Sequence, residues 1–322
     1  MGSLGTHLSS TVGEHLTSSE GKSLWADVQP SLSDALEETL NRIALSTPGR
    51  DELITAIRKE TASLIAKATA QAEEKISQTA TPTKLAPARL LRRLYNGAAQ
   101  NADCVTVITT NYDTLVECFC DLANLPIDNG FVGFFRRQLR PGSLFRTTYS
   151  RSTAPVRNGK QAQFTYQPQR MVRLVKPHGS ITWHHTENGP IEILGKFAQH
   201  AHAIVVPGPS KYEDSLLNKL FDGLRMEMNS AVERATALLC IGFGFNDVHL
   251  QGTIEARLQA GMPAIILSLG LTPNIESALS RHKDLIAISQ HETGSAIRIG
   301  TDRLLVPQPV WRLDDFLQVF IE

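Results

Sequence analysis

Cys104-Val105-Thr106-Val107-Ile108-Thr109-Thr110-Asn111-Tyr112-Asp113 decides how this chain is read. The first five residues alternate small, β-branched and apolar side chains, which predicts a short strand buried in a parallel sheet. The run then turns polar, and a helical pattern follows from about Asp113 to Ala123. In open α/β sheets ligands bind outside the carboxyl ends of the strands, so Thr109, Thr110, Asn111 and Asp113 stand where a ligand would lie. Asn111 can both donate and accept hydrogen bonds. Asp113 suits a ligand contact and equally a helix N-cap.

The same grammar recurs downstream. Val172–Val175, Ala203–Val206, Ala237–Gly242 and Ala264–Ser268 are short apolar runs. Helical segments over 214–234, 248–260 and 273–280 accompany them. Strands alternating with helices predict an α/β protein with a mostly parallel sheet covered on both faces. The first hundred residues read as mainly helical. Ser33 is expected to cap a helix from Asp34 to Leu45, and Asp51 to open a longer one reaching about Ser77. A Pro/Thr linker over 79–87 leads to a further helix over 88–99. The whole is expected to be a single domain over 1–322, with a helical portion over 1–100, a core over 101–322 and a basic insertion over 129–171.

Composition narrows the function classes. Hydrophobic residues make 42% of the 322 positions and charged residues 20%, which is the balance of a globular protein. Net charge is zero, so overall charge selects no partner. No apolar run is long enough to cross a bilayer and no secretory signal pattern opens the chain, so no membrane role and a cytoplasmic location are expected. The cysteines, Cys104, Cys118, Cys120 and Cys240, form no CxxC pair and read as free thiols.

Two further turns carry chemistry. Lys176-Pro177-His178-Gly179-Ser180 follows the run Val172–Val175. Proline stops the strand and glycine permits a tight turn, so His178 would project at the same sheet edge as Asn111. A histidine held there is a candidate base. Gly242-Phe243-Gly244-Phe245-Asn246-Asp247 joins a strand to a helix. Small residues at such a turn let a phosphate or ribose approach the backbone, although the spacing is not that of a dinucleotide fingerprint. Asp247 is also a possible helix cap.

These stretches, in this order, resemble the Sir2-like domains of bacterial anti-phage defence proteins. Ile204-Val-Val-Pro-Gly-Pro-Ser-Lys211 resembles a further segment of that family. The resemblance implies a Rossmann-like, mostly parallel sheet with an inserted helical module. It implies hydrolysis of NAD, as substrate, to ADP-ribose and nicotinamide, and assembly into an oligomer. A HerA-like ATPase is an implied partner. By position, Asn111, His178 and Asp113 take the catalytic places. Thr110, Gly242, Phe243, Gly244, Asn246 and Ser268 take the cofactor-binding ones. The alternative implied by the same resemblance is a weak or inactive binding and assembly subunit that partners an ATPase or nucleic acid.

Two departures qualify the resemblance. Sirtuin deacylases carry a zinc ribbon built on two CxxC pairs, and no such pair stands here, so no zinc and no peptide deacylation are expected. The family also opens with an apolar strand and a Gly-Ala-Gly-Xaa-Ser loop. Met1-Gly-Ser-Leu-Gly-Thr-His-Leu-Ser-Ser resembles instead the segment downstream of that loop, where a helix begins. The expectation is a sequence that starts inside a longer one, or a degenerate member of the family, or else a reduced loop over Gly2–Gly5.

Between Asn129 and Thr186 there is no Asp or Glu, while Arg136, Arg137, Arg140, Arg146, Arg151, Arg157, Lys160, Arg170, Arg173 and Lys176 stand among aromatic residues. Such a stretch suits a surface for phosphates or nucleic acid. It suits equally a solvated insertion whose charges pair with the acidic helices upstream. His184, His185, His200 and His202 read as core or surface residues, because no Cys or acidic partner stands at a ligand spacing.

Overall fold

The computed structural model describes residues 2–98, 104–140, 142–153, 164–195, 202–206, 215–246 and 248–322. The chain forms two compact units, one of Met1–Pro82 with Ala98–Leu224 and one of Thr83–Gly97 with Arg225–Glu322.

The first unit starts with helices α1 (Gly2–Thr11), α2 (Ser19–Asn41) and α3 (Arg50–Ser77). Gly2–Gly5 is thus the first turn of a helix and not a reduced loop. Gly5 lies so close to α2 that a Cβ on it would stand 2.2 Å from the Leu32 carbonyl oxygen. The expected helix start at Ser33 is corrected. α2 begins at Ser19 and not at Asp34, capped by Ser18, whose hydroxyl accepts from the Gly21 N–H at 2.9 Å. The reason is packing. Trp25, Val28, Leu32, Leu36 and Leu40 form one buried stripe at helical spacing. Burial of that stripe outweighs the local cost of Pro30 inside the helix. The stripe joins Leu8, Val12, Leu53, Ile54 and Ile57 in a core that also takes in Ile204 and Val206.

Helix α4 (Ala86–Gly97) belongs to the second unit. The first unit resumes with β1 (Cys104–Ile108), α5 (Leu115–Leu122), β2 (Ile127–Asp128), β3 (Phe131–Val132), β4 (Arg136–Leu139), β5 (Thr148–Thr153) and β6 (Phe164–Gln169). Then come β7 (Met171–Val175), β8 (Gly179–Thr186), β9 (Gly189–Ile193) and β10 (His202–Ile204). β1, β7 and β2 form a parallel sheet in the order β1-β7-β2, with Cys104 opposite Met171 and Ile108 opposite Val175. This register brings the ends of β1 and β7 level, so Thr109 and Lys176 both leave the sheet at one edge.

The acid-free stretch supplies strands. β10, β8, β9, β4 and β3 make an antiparallel sheet, and β5 pairs with β6 as a separate ribbon. Basic side chains of this stretch find carboxylates on nearby strands, and Lys176 finds one on the upstream helix α5. Arg137 pairs with buried Glu192, and Arg140 pairs with Asp128 at 3.0 Å. Glu192 also accepts from Asn129 Nδ2 at 2.9 Å and from the indole N–H of Trp183 at 3.3 Å. A carboxylate that is 2% exposed is tolerable only with partners of this kind.

Helix α6 (Ser215–Arg234) leads into the rest of the second unit: β11 (Leu238–Ile241), α7 (Val248–Gln259), β12 (Ala264–Ser268), α8 (Pro273–Arg281), β13 (Leu285–His291), β14 (Gly294–Ile299), β15 (Asp302–Val306) and α9 (Leu313–Phe320). β11, β12 and β13 are parallel, and β14 and β15 continue the sheet antiparallel. Leu267, Ile288, Val310 and Phe316 form a buried cluster of this unit. Arg89 of α4 bonds Asp314 at 2.5 Å and Glu322 at 2.9 Å. The fold is mixed α/β with parallel strand pairing in both units, consistent with a Rossmann-like organisation. Among the described strands, β1 and β11 each lie at the edge of their sheet.

Candidate active site

In the first unit the segment after β1 and the turn after β7 are sewn together. The Thr109 N–H donates to the Val175 carbonyl at 3.0 Å, extending the parallel ladder one step past β1. The Asn111 N–H donates to Thr109 Oγ1 at 3.2 Å, and the Ile181 N–H donates to the Tyr112 carbonyl at 2.9 Å. The Tyr112 hydroxyl donates to the Val205 carbonyl at 2.6 Å, while its ring packs against the helical core. Asn111 is exposed, and His178 is half-buried. Asp113 accepts the Leu115 N–H at 3.0 Å, so it does act at the start of α5.

Gly179 fixes the direction in which His178 leaves its turn. Its φ is +87°, and a Cβ there would stand 2.1 Å from the Ala203 carbonyl oxygen. The Val205 N–H donates to the His178 carbonyl at 2.9 Å, which ties the turn to the segment after β10. Sequence therefore reads the glycine correctly as a tight turn, but the close approach of β10 that makes it necessary is a tertiary fact.

Beneath both segments lies Lys176, which has no exposed surface. Its ammonium donates to the Asp113 carbonyl, to Glu117 Oε1 at 3.1 Å and to Ser180 Oγ at 3.4 Å. Burial pushes the Glu117 carboxyl above its usual range, and the Lys176 charge pulls the other way. Lys176 and Glu117 were not singled out by sequence. A lysine directly after an apolar strand is the signal that could have found the first of them, since a charge there must meet a partner.

In the second unit the turn Gly242–Asn246 follows β11. Gly242 has φ +66°, and its N–H donates to the Leu267 carbonyl at 2.8 Å. Phe245 is fully buried at φ +58°, a left-handed conformation that is costly for a bulky residue. The start of α8 holds it there. The Thr272 hydroxyl donates to the Gly244 carbonyl at 2.6 Å, and Asn274 Nδ2 donates to the Phe245 carbonyl at 3.0 Å and to Asn246 Oδ1 at 2.9 Å. Phe243 stacks on Phe245 with ring centres 5.0 Å apart. Ser268, at the end of β12, donates its hydroxyl to the Gly270 carbonyl at 2.7 Å. Thr272 and Asn274 escaped the sequence reading, since Thr272 looks there like a helix cap, which it also is.

Asn111, Asp113 and His178 thus stand in one unit, and Gly242, Phe243, Gly244, Asn246 and Ser268 in the other. Asp247, His200 and Pro207–Lys211 lie outside the described residues.

The family model for the SIR2-like domain matches residues 105–283, from β1 to just past α8. The chain belongs to the SIR2-like family. That membership implies an NAD-related function in general terms, and it covers every turn described above. A search of curated proteins finds no match. Among the described residues of this SIR2-like chain no three His, Cys, Asp or Glu side chains converge as a metal site. His184 and His202 face each other across β8 and β10 with ring centres 4.7 Å apart, and burial lowers the His202 pKa. No helix among the described residues is long and apolar enough to cross a membrane.

Proposed function

We propose that this SIR2-like chain hydrolyses NAD to ADP-ribose and nicotinamide with Asn111 and His178. The observation that carries the proposal is the direct stitching of the Asn111 segment to the His178 turn, through Thr109–Val175, Tyr112–Ile181 and the Lys176 ammonium. Breaking the bond between nicotinamide and ribose builds positive charge on the ribose, as glycoside cleavage does. Nicotinamide leaves as a neutral group, so the step needs a placed water and a proton acceptor more than a strong acid. In the proposed step the water oxygen bonds the anomeric carbon as the carbon–nitrogen bond breaks. Asn111, exposed at the strand end, orients the water and a ribose hydroxyl. His178 takes the water's proton, directly or through a hydroxyl. Asp113 steadies the loop by accepting the Leu115 N–H, one residue before the Thr114 N-cap of α5, and its second oxygen is assigned to a ribose hydroxyl. Thr110 is assigned to the nucleotide as well. The backbone of Gly242–Asn246, with Phe243, Gly244 and Ser268, is assigned to ribose and phosphate.

A role in anti-phage defence, an oligomeric state and a HerA-like ATPase partner belong to the same reading and rest on the family resemblance. The test is incubation of the purified chain with NAD, with nicotinamide and ADP-ribose resolved chromatographically. Asn111→Ala and His178→Ala should each lower turnover by about a hundredfold or more, the scale of a lost acid–base group. Unchanged turnover in either variant sinks that assignment. A second reading, a weakly active binding subunit, is favoured by the exposed ribbon of β5 and β6. NAD binding without either product would select it.

A further inference from the structure

The ribbon of β5 and β6 has two unlike faces. Register places Tyr149 opposite Pro168, Arg151 opposite Tyr166 and Thr153 opposite Phe164. Residues directly opposite in an antiparallel pair share a face, so Tyr149, Arg151, Phe164 and Tyr166 lie on one side. The other side holds only Thr148, Ser150, Ser152, Thr165, Gln167 and Gln169. A polar, uncharged face is what solvent requires. The aromatic face is not buried either: Tyr149 is 58% exposed, Phe164 45% and Tyr166 63%. An isolated two-stranded hairpin is marginal in water, and such a ribbon presenting three rings fits a surface that a partner covers.

We infer that this face binds single-stranded nucleic acid by stacking bases on Tyr149, Phe164 and Tyr166. Charge selects the class of partner. The sequence from Asn129 to Thr186 has no Asp or Glu, and although Arg137, Arg140 and Lys176 are paired with carboxylates from outside it, Arg136, Arg146 and Arg151 are exposed, which favours a polyanion. Spacing selects a base. Phe164 and Tyr166 stand two residues apart on one strand, so their side chains leave the backbone about 7 Å apart. That is about twice the 3.4 Å rise of stacked bases, room for one planar base between two rings. Arg151 already lies over the Phe164 ring, 4.5 Å from its centre, which shows that a flat cationic or π surface fits this face. Aromatic platforms beside positive charge bind single strands with little sequence preference. Phe134, 93% exposed, and exposed Phe135, next to exposed Arg136, add two more exposed rings within the same acid-free stretch.

The experiment is fluorescence anisotropy of labelled oligothymidylate, oligouridylate and a duplex of equal length, titrated with the full chain at two salt concentrations. Binding of one or both single strands, weakened steeply by salt, is expected, and the two strands separate a DNA from an RNA preference. Tyr149→Ser and Tyr166→Ser should each weaken it about tenfold. Thr148→Ala and Gln167→Ala, on the polar face, should leave it unchanged. Both ring positions are surface residues, so circular dichroism should be unaltered. The inference is overturned by no binding, by binding that ignores the ring changes, or by equal affinity for duplex. It is overturned too if the ring changes alter self-association of the chain and not oligonucleotide affinity. None of these outcomes depends on NAD turnover, which Asn111→Ala tests separately.

Discussion

Lys176 Nζ stands 3.1 Å from Glu117 Oε1, with the lysine wholly buried and the glutamate 19% exposed. The pair joins the strand-end turn that carries His178 to the helix that follows Asn111. Removing one partner of a buried pair leaves a charge without compensation. Lys176→Met should lower unfolding stability by about 3–5 kcal/mol, measured by denaturant titration. Lys176→Met combined with Glu117→Leu should recover much of that loss. A double variant as unstable as the single one would show that the ion pair is not what the site depends on.

Gly179→Ala should be severe for its size. The left-handed φ of +87° and the 2.1 Å approach of the Ala203 oxygen leave no space for a methyl group. The turn must shift and His178 with it. We expect NAD turnover to fall together with thermal stability. A variant with unchanged melting temperature and turnover would contradict the geometry.

Acid should loosen the helical layer through Glu52. Its carboxylate accepts from the Thr17 N–H at 2.6 Å, from Thr17 Oγ1 at 2.8 Å and from the Ser18 hydroxyl. The Ser18 hydroxyl, followed by the Thr17 donors, lowers the Glu52 pKa from 4.5 to about 2. The folded pKa is the depressed one, so the contribution is complete above 4.5 and is lost as pH falls toward about 2. The melting temperature of Glu52→Gln should lie below wild type by a constant margin at neutral pH, and that margin should close across this window. A margin independent of pH would remove the carboxylate from the account.

Asn274→Ala tests the second unit. Its amide holds both the Phe245 carbonyl and Asn246 Oδ1. If the Gly242–Asn246 turn meets nucleotide as proposed, KM for NAD should rise severalfold while kcat changes little, the mark of lost ground-state binding. An unchanged KM would detach this turn from the substrate.

Thiol chemistry offers a check independent of any ligand. Burial pushes the Cys120 thiol up to about 12 and Cys240 to about 11. Neither should react with a thiol reagent near neutral pH until the chain unfolds, because the thiolate is the nucleophile. Rapid labelling of both in the native protein would contradict their burial.

The legible part of this fold was its apolar runs. Ala264–Ser268 is a short apolar run with Ile265 and Ile266 at its centre, and the strand has those bounds. Arg50–Ser77 is helical almost as its acidic start and apolar spacing suggest. The antiparallel sheet was far less legible. β4 is Arg136-Arg-Gln-Leu139, with no inward apolar alternation, and its partly buried Arg137 is satisfied by Glu192 of β9. β9 is buried along its whole length, yet contains Pro190 and Glu192. At the site, the turn types of Asn111 and His178 could be read locally. Lys176, Glu117 and Thr272 act through partners distant in sequence, and no local pattern announces such pairings.

The Lys176 ammonium meets the Asp113 carbonyl across 63 positions of chain, and strands β2 to β6 are threaded into that interval. Closing so long a loop costs entropy before any contact rewards it, and non-local pairings of this kind slow folding. Helices α1–α3, joined by short connections, have no such wait. During synthesis the helical layer can therefore form while Asn111 is still a loop residue without a neighbour. The edge that carries Asn111 and His178 is expected to form late, when β7 docks beside β1 and the lysine loses its water.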